Sequence, residues 1–363
     1  MKQGWEYKKL EDVGTIEYGT RVVQKVDGGS IYPVYGGGGA TFRMDRYNRE
    51  NRMVIARFAI SKQCTRFVYG KFFLNDSGLT VSPNSNIISQ AYLDKCLMAN
   101  NNKIYSLGKG AAQKNLEMKA FAKLPIPVPP LPTQQAIVSE LDTLSGIIAE
   151  CKETLKDYDA LEQSIFYDMF GDPVKNEKGW EVKKLGEIGF CCSGGTPSRS
   201  NPEYFNGDIM WYSAGELNEM YLGDSVEKIT ETALNNCSAK ICKAGSLFVG
   251  MYDTAAFKLG IAKVDSCSNQ ACANIQLYED NIIWLYFTLL MMKEEALKNR
   301  HGARQKNLNL GYIKNFDIPL PPLPLQQDFA TKIEAIEQMK EETKEALQEA
   351  ETLFQARMDY WFN

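Results

Sequence analysis

The sequence predicts an α+β (mixed α/β) protein in which two globular domains are joined by two long antiparallel coiled-coil helices, arranged as a pseudo-twofold internal repeat. Three observations predict it. The first is a repeat without gaps. Gly110-Ala111-Ala112-Gln113-Lys114-Asn115-Leu116, followed by Ile126-Pro127-Val128-Pro129-Pro130-Leu131-Pro132 and Gln134-Gln135, returns at a constant offset of 192 residues. The second copy is Gly302-Ala303-Arg304-Gln305-Lys306-Asn307-Leu308, followed by Ile318-Pro319-Leu320-Pro321-Pro322-Leu323-Pro324 and Gln326-Gln327. A repeat this long marks two copies of one unit. The second observation is an opener, Gly4-Trp5-Glu6-Tyr7-Lys8-Lys9-Leu10, which returns at offset 175 as Gly179-Trp180-Glu181-Val182-Lys183-Lys184-Leu185. The third is an apolar pattern stepping by four and three after each proline run, the mark of a coiled-coil seam.

The four segments expected are a first globular domain at 1–132, a long helix at 133–170, a second globular domain at 171–324 and a second long helix at 325–363. Within the first domain, Tyr32–Tyr35 reads as a strand entering the Gly36–Gly39 turn. Met53–Ala59 and Thr65–Tyr69 read as further strands, rich in Val, Ile, Phe and Tyr. Ser89–Ala99 reads as a helix. The second domain shows the same order. Strands are expected at Ile209–Tyr212, Ser246–Met251, Leu259–Val264 and Cys272–Leu277, followed by a helix from Asn281 to about Lys298. Strands mixed with helices, without regular alternation, define the fold class. The second domain has 17 more residues between opener and closer, so matching ends frame unlike middles.

The proline-rich connectors should be extended and stiff, delivering the chain to Thr133, a good helix N-cap residue, and to about Leu325. The first seam is Ile137, Leu141, Leu144, Ile148, Cys151, Leu155 and Tyr158. The second is Phe329, Ile333, Ile336, Thr343, Leu347, Ala350 and Phe354, with Lys340 replacing Ile148 as a register marker. Helices of about 37 residues would be roughly 55 Å long. They are too long and too acidic outside to be buried in one small domain. Antiparallel pairing is the economical solution, and it should bring the chain end near Phe362 close to Trp5.

Composition limits the function. The 363 residues suffice for two cores. The first residues lack the apolar run of a secretory signal, and Ile282–Met292 is too short to span a bilayer, so a cytoplasmic protein is expected. Nine cysteines and a single histidine, His301, at spacings unlike zinc sites, read as thiols in a reducing compartment with no metal. Residues 1–132 carry 19 basic and 10 acidic side chains, whereas 133–170 carry 2 and 8 and 325–363 carry 4 and 9. The block 171–324 is nearly balanced. A basic domain and acidic helices suit different partners.

The basic charge is concentrated. Arg43, Arg46, Arg49, Arg52, Arg57, Lys62, Arg66 and Lys71 alternate with Phe42, Tyr47, Phe58, Phe67, Tyr69, Phe72 and Phe73. Arginine forks fit phosphates and guanine edges, and aromatics give flat packing. Gln113-Lys114-Asn115 and Gln305-Lys306-Asn307 place amide and ammonium donors at matching points, where they either hold a nucleic-acid backbone or cap a loop. Ser193-Gly194-Gly195-Thr196-Pro197-Ser198-Arg199-Ser200 reads as a flexible loop with the donors Thr196, Ser198 and Arg199. Lys258 and Arg304 add local positive charge to the second domain. No catalytic constellation appears. There is no phosphate-binding loop, no dinucleotide fingerprint, and no carboxylate–lysine cluster of a nuclease. Asn201-Pro202-Glu203-Tyr204 departs from the amino-methyltransferase motif at its third residue.

Taken together, the opener, the Ser-Gly-Gly-Thr-Pro loop, the Gly-x-x-Gln-Lys-Asn-Leu motif and above all the doubled Ile-Pro-x-Pro-Pro-Leu-Pro-x-Gln-Gln-helix unit resemble the DNA-specificity (S) subunit of type I restriction–modification enzymes. The resemblance covers essentially the whole chain. It implies two target-recognition domains, each reading half of a bipartite, asymmetric double-stranded DNA site, and a helical ruler that sets the spacer. It also implies docking of two methyltransferase (M) subunits, and of restriction (R) subunits where these exist. S-adenosylmethionine, ATP and Mg are then expected on the partner subunits, and no cofactor or catalysis in this chain. The competing readings are a coiled-coil scaffold that binds only protein, and a stand-alone methyltransferase or nuclease disfavoured by the missing motifs.

Overall fold

A computed structural model describes residues 5–110, 113–298 and 307–362. The chain divides into two compact units: unit 1 is Met1–Glu153 with Lys344–Asn363, and unit 2 is Thr154–Thr343. Each long helix therefore contributes its first half to one unit and its second half to the other.

The matching ends of the repeat find each other. In unit 1 the opener strand Glu6–Lys9 pairs antiparallel with Pro125–Val128 of the proline connector, with Tyr7 opposite Pro127. In unit 2 Glu181–Lys184 pairs in the same way with Asp317–Leu320, with Val182 opposite Pro319. Prolines are tolerated because each ribbon has only two strands, so a proline nitrogen can face away from the ladder.

The first long helix is Leu131–Phe170 and the second Leu323–Phe362, 40 residues each. Both start earlier than the sequence suggested. The amides of Thr133 and Gln134 donate to the Pro130 carbonyl, and those of Leu325 and Gln326 to the Pro322 carbonyl. Thr133 thus lies inside the first turn and is not the N-cap. Pro132 and Pro324 fit there because first-turn amides have no intrahelical acceptor to lose.

One glutamine of each pair has a structural role that composition did not reveal. Gln134 is fully buried. Its Oε1 accepts from the Ser89 amide at 2.9 Å, and its Nε2 donates to the carbonyls of Ile87 and Pro129, both at 2.9 Å. Gln326 repeats this, accepting from Asn281 N and donating to Asp280 Oδ1 and the Pro321 carbonyl, each at 2.9 Å. Each side chain ties the connector to the start of the domain's main helix, Gln90–Ala99 or Ile282–Lys298. Ser89 caps the first of these through Tyr92 N and Asn281 the second through Ile283 N.

Within each unit the two helix halves run antiparallel. In unit 1, Ile137 and Leu141 share the core with Met358 and Phe362, and Trp5 stacks on Trp361 with ring centroids 6.0 Å apart. The chain end does lie beside its beginning. In unit 2, Phe329 meets Phe166 and Phe170 edge-on, and Trp180 Nε1 donates to the Phe170 carbonyl at 2.9 Å.

The domain middles differ more than expected. Unit 1 has a six-stranded sheet in the order Gly14–Tyr18, Gly78–Pro83, Arg49–Ala56, Thr65–Leu74, Tyr32–Gly36, Gly39–Met44. Unit 2 has a five-stranded sheet, Gly189–Ser193, Cys272–Leu277, Leu247–Gly250, Leu259–Ala262, Tyr221–Leu222. A separate three-stranded sheet there joins Glu227–Ile229, Ile209–Tyr212 and Ser266–Ser268. The two middles therefore do not share one order: Ile209–Tyr212 sits in this extra sheet, whereas Tyr32–Gly36 pairs in parallel with Thr65–Leu74. The strand expected at Met53–Ala59 runs Arg49–Ala56, because Arg57 N turns to the Ser77 carbonyl and Ala59 takes a φ of 49°.

All nine cysteines are free thiols. Among the described residues no cluster of His, Cys, Asp and Glu is arranged to hold a metal ion, and no helix is long and apolar enough to cross a membrane.

Candidate nucleic-acid interface

The arginine-rich run of unit 1 does not form one face; the sheet divides it. Arg57 follows the strand Arg49–Ala56, and its guanidinium lies between the rings of Tyr18 (4.8 Å) and Phe58 (4.6 Å). Stacking of this kind holds a guanidinium flat while leaving its edge donors unspent. Beside it is the tight turn between Tyr32–Gly36 and Gly39–Met44. A side chain at Gly37 would press on Ala56 at 2.9 Å, and Gly39 has a φ of 121° with the Arg66 guanidinium 3.1 Å from where a Cβ would stand. The glycines therefore let the turn lie against the strand and beside Arg66. Arg57, Arg66, Tyr18, Phe58 and this turn form one group.

A second group gathers around Tyr47. Lys71 lies over its ring at 4.7 Å, and its hydrogen bond to Tyr47, followed by the Tyr47 and Glu50 charges, raises the lysine pKa. Arg46 lies over Phe73 at 5.7 Å and reaches Asp27 at 3.6 Å. Tyr32 packs on Tyr47, and Arg43 donates to the Ile31 carbonyl at 2.7 Å.

Arg49 serves the fold, and the charge of Arg52 also acts on a buried carboxylate. Arg49 donates to Thr80 Oγ1 at 2.9 Å and pairs with Glu17 at 3.2 Å. Arg52 acts on Asp94, which is 5% exposed. Burial pushes the Asp94 carboxyl up to about 7, against the opposing pull of the Gln90 hydrogen bond and the Arg52 charge. Lys62 is exposed, and its carbonyl accepts from Asn101 Nδ2 at 2.8 Å.

The Gln-Lys-Asn motif braces this surface. Asn115 Oδ1 accepts from the Ala59 amide at 3.2 Å. The Lys114 carbonyl accepts from Ile60 N and the Arg57 carbonyl from Leu116 N, both at 2.9 Å. Lys114 Nζ lies 4.4 Å over the Tyr105 ring, while Gln113 is exposed. The motif thus buttresses the Arg57–Ile60 bend with its backbone and Asn115. Unit 2 keeps the backbone part, Leu308 N donating to the Met251 carbonyl at 2.7 Å. Arg304, Gln305 and Lys306 lie outside the described residues; Asn307 is described and half-buried.

In unit 2 the Ser193–Ser200 loop is packed where flexibility was expected. A Cβ on Gly195 would lie 2.4 Å from the backbone of Ala239, and Trp211 Nε1 donates to the Gly195 carbonyl at 2.9 Å. Arg199 forks onto Glu227 at 2.6 and 2.7 Å over the rings of Phe205 and Trp211. That pair raises the arginine pKa and lowers the glutamate's. Thr196 donates to Gln270, and Ser198 bonds Ser200 at 2.7 Å. Lys258 donates to Asn218 Oδ1 at 2.6 Å and to the Gly215 carbonyl at 3.2 Å. The described cations of this face thus hold internal partners, unlike the stacked Arg57 of unit 1.

Sequence reasoning missed Tyr18 and Tyr105, the aromatic partners of Arg57 and Lys114. Neither is near its cation in sequence, so nothing in the spacing pointed to them.

Comparison with known proteins identifies the frame. The family model described as "Type I restriction modification DNA specificity domain" matches twice, over residues 2–157 and 177–352. The chain is 29% identical over 198 residues to the MjaIX specificity subunit of Methanocaldococcus jannaschii, covering 53% of this chain and 45% of that protein. It is 26% identical over 253 residues to the EcoR124I/EcoR124II specificity subunit of Escherichia coli, covering 66% and 61%. The matches thus span about half of the first relative and three-fifths of the second. In fold it is similar to the S subunit of a type I restriction–modification system from M. genitalium, with a TM-score of 0.67 at 14% identity over 99% of this chain and 97% of that one. A chain from a structure of type I R-M complex assembly and conformational transition aligns with a TM-score of 0.60 at 17% identity, over 100% and 98%. The matches to one family model frame both halves of the repeat, and the chain belongs to the type I restriction–modification DNA specificity family.

Proposed function

We propose that this chain is the non-catalytic, DNA-reading subunit of a type I restriction–modification complex. Each unit reads one half of a bipartite, asymmetric double-stranded site, and the long helices set the distance between the halves. Two methyltransferase subunits dock on the chain and bring S-adenosylmethionine; restriction subunits, where present, bring ATP and Mg. The observation that carries the reading is the contrast inside the repeat. The frame is repeated to the hydrogen bond, as at Gln134 and Gln326, while the middles carry different sheets and different cation settings. A repeated frame displaying unlike surfaces is what two readers of unlike half-sites require.

In unit 1 the reading surface is the Arg57–Arg66 group with its glycine turn, and the Arg46–Lys71 group supplies phosphate contacts. In unit 2 the half-site is read by the Ser193–Ser200 loop, with Thr196, Ser198 and Arg199, and by Lys258, with Arg304, Gln305, Lys306 and Asn307 as further donors read from the sequence. Arg199 must exchange Glu227 for DNA or work alongside it, so this half relies more on hydroxyl and backbone donors. The test is a gel-shift salt titration of the whole chain, alone and with its methyltransferase partner. Affinity should fall steeply between 50 and 200 mM salt, by about 10³ or more for six or more phosphate contacts. Binding to protein alone, with no shift on any duplex from a random pool, would instead favour the coiled-coil scaffold.

A further inference from the structure

The two helix pairings are built from different chemistry, and the 192-residue offset allows the residues to be compared position by position. In unit 2 the seam is polar. Lys340 Nζ lies 2.8 Å from Asp159, 3.2 Å from Glu162 and 2.6 Å from Glu337. Glu162 is 4% exposed. One of its oxygens binds Lys340, and the other, Oε1, has no partner. At the equivalent positions in unit 1 stand Ile148 for Lys340, Phe354 for Glu162 and Ser145 for Glu337, while Glu351 keeps the acidic character of Asp159. Phe354 packs on the apolar core there.

In unit 1 the polar contact is elsewhere. Arg357 forks onto Glu140, with Nη2 to Oε2 at 3.0 Å, and Trp361 Nε1 donates to the same carboxylate at 3.1 Å. The equivalents in unit 2 are Lys332 for Glu140, Ile165 for Arg357 and Met169 for Trp361.

Self-pairing by either helix in the same register would break the Lys340–Glu162 and Arg357–Glu140 pairs. If the first helix paired with a second copy of itself, Ile148 would face Asp159 and Glu162, and Glu140 would face Ile165 and Met169. If the second helix did so, Lys340 would face Glu351 and Phe354 and lose its buried partner Glu162, and Lys332 would face Arg357. The first arrangement leaves the buried Glu162 without its cation, which costs far more than an ion pair gains. The second sets Lys332 against Arg357 and replaces Glu162 by an apolar ring.

We infer that these two clusters form a pairing code: each helix carries the residues that the opposite helix requires and that a second copy of itself excludes. The occupant of each helix face is thereby fixed as the other helix of the repeat, and a further copy of this chain is rejected at the same seam. A duplicated gene starts with two identical helices that pair with themselves or each other equally well. Placing Lys340 and Glu162 on one seam and Arg357 and Glu140 on the other removes that ambiguity. Single polar residues set register and partner in coiled coils by the same logic.

A mutant cycle on the full chain tests this. Lys340→Ile creates the first helix's self-pairing in unit 2, with isoleucine facing Glu162. Glu162→Phe creates the second helix's, with lysine facing phenylalanine. The double variant installs the isoleucine and phenylalanine that unit 1 carries at the equivalent positions 148 and 354. Native-state hydrogen exchange of peptides within 154–170 and 323–343 reads the stability of this seam directly. Lys340→Ile should lower protection by about 100-fold or more, because it strands the buried Glu162. Glu162→Phe, which leaves Lys340 beside Asp159 and Glu337, should lower it by about tenfold. The double variant should return to within about threefold of the native chain or exceed it, because a matched apolar pair replaces a matched polar one. Single variants that lose less than about threefold, or a double variant whose loss is the product of the two, would overturn the code.

A second readout separates charge pairing from packing. The groups facing Glu162 are Lys340, Glu337, Asp159, Tyr221 and Tyr286. In Lys340→Ile the deficit should shrink as pH falls from 8 to 5, because Glu162 then accepts a proton and no longer needs a cation. A deficit independent of pH would assign the loss to packing and refute a code written in charge.

Discussion

Unit 1 and unit 2 repeat a frame and diverge in what it displays. Opener strand, proline connector, buried glutamine and helix cap recur in equivalent places, with the Ile87 carbonyl at Gln134 exchanged for the Asp280 carboxylate at Gln326. The sheets, the loops and the helix seams do not. Positions that hold the chain together tolerate little change, since each buried group must find its partner. Positions facing solvent are free to acquire different chemistry. The division of labour inside the repeat follows from that contrast, and it can be broken at either level.

The largest effect should come from the frame. Gln134→Ala leaves the Ser89 amide and the carbonyls of Ile87 and Pro129 without partners, and Gln326→Ala orphans Asn281 N, Asp280 and the Pro321 carbonyl. At about 1–3 kcal/mol for each unsatisfied group, each variant should lose roughly 3 kcal/mol or more. Urea denaturation of the two variants should give similar losses. A large loss in one and none in the other would mean the frames are not equivalent.

The reading surface should respond next. Arg57→Ala should weaken DNA binding by about 1–3 kcal/mol if it touches a base edge, with little change in folding, because its described neighbours are exposed or half-buried rings. Arg49→Ala should do the reverse, lowering stability through Thr80 and Glu17 while leaving affinity nearly unchanged. Binding titrations beside thermal melts would show whether the two arginines divide in this way.

A smaller effect should come from Asp94, and it has a definite sign. Burial raises its folded pKa to about 7 from the ordinary 3.8. The folded state therefore holds a proton that the unfolded state releases, and stability falls as pH rises from about 4 to about 7. Asp94→Asn should remove part of that fall, stabilising the chain at pH 8 relative to native and doing little at pH 4. Melts at the two pH values would check it, and equal shifts at both would rule out titration of Asp94.

Much of the frame was legible in the sequence, since repeats and seams are patterns along the chain. Lys340 stood out because it broke a seam, and its carboxylate partners then gave the break a physical reason. The glutamine pair was visible as a motif, but its role depends on carbonyls 5 and 47 residues away. The arginine run was legible as charge and not as a surface. Strand pairing sends Arg49 to Thr80 and Arg57 to Tyr18, and no local spacing encodes those distant neighbours. In unit 2 the pairing of Arg199 with Glu227 was equally hidden, 28 residues apart.

The most direct test of two unlike readers on one repeated frame is selection of bound duplexes from a random pool by the whole chain with its methyltransferase partner. Two different half-sites separated by a spacer of fixed length are predicted. A single half-site, a palindrome, or half-sites at variable separation would contradict the account.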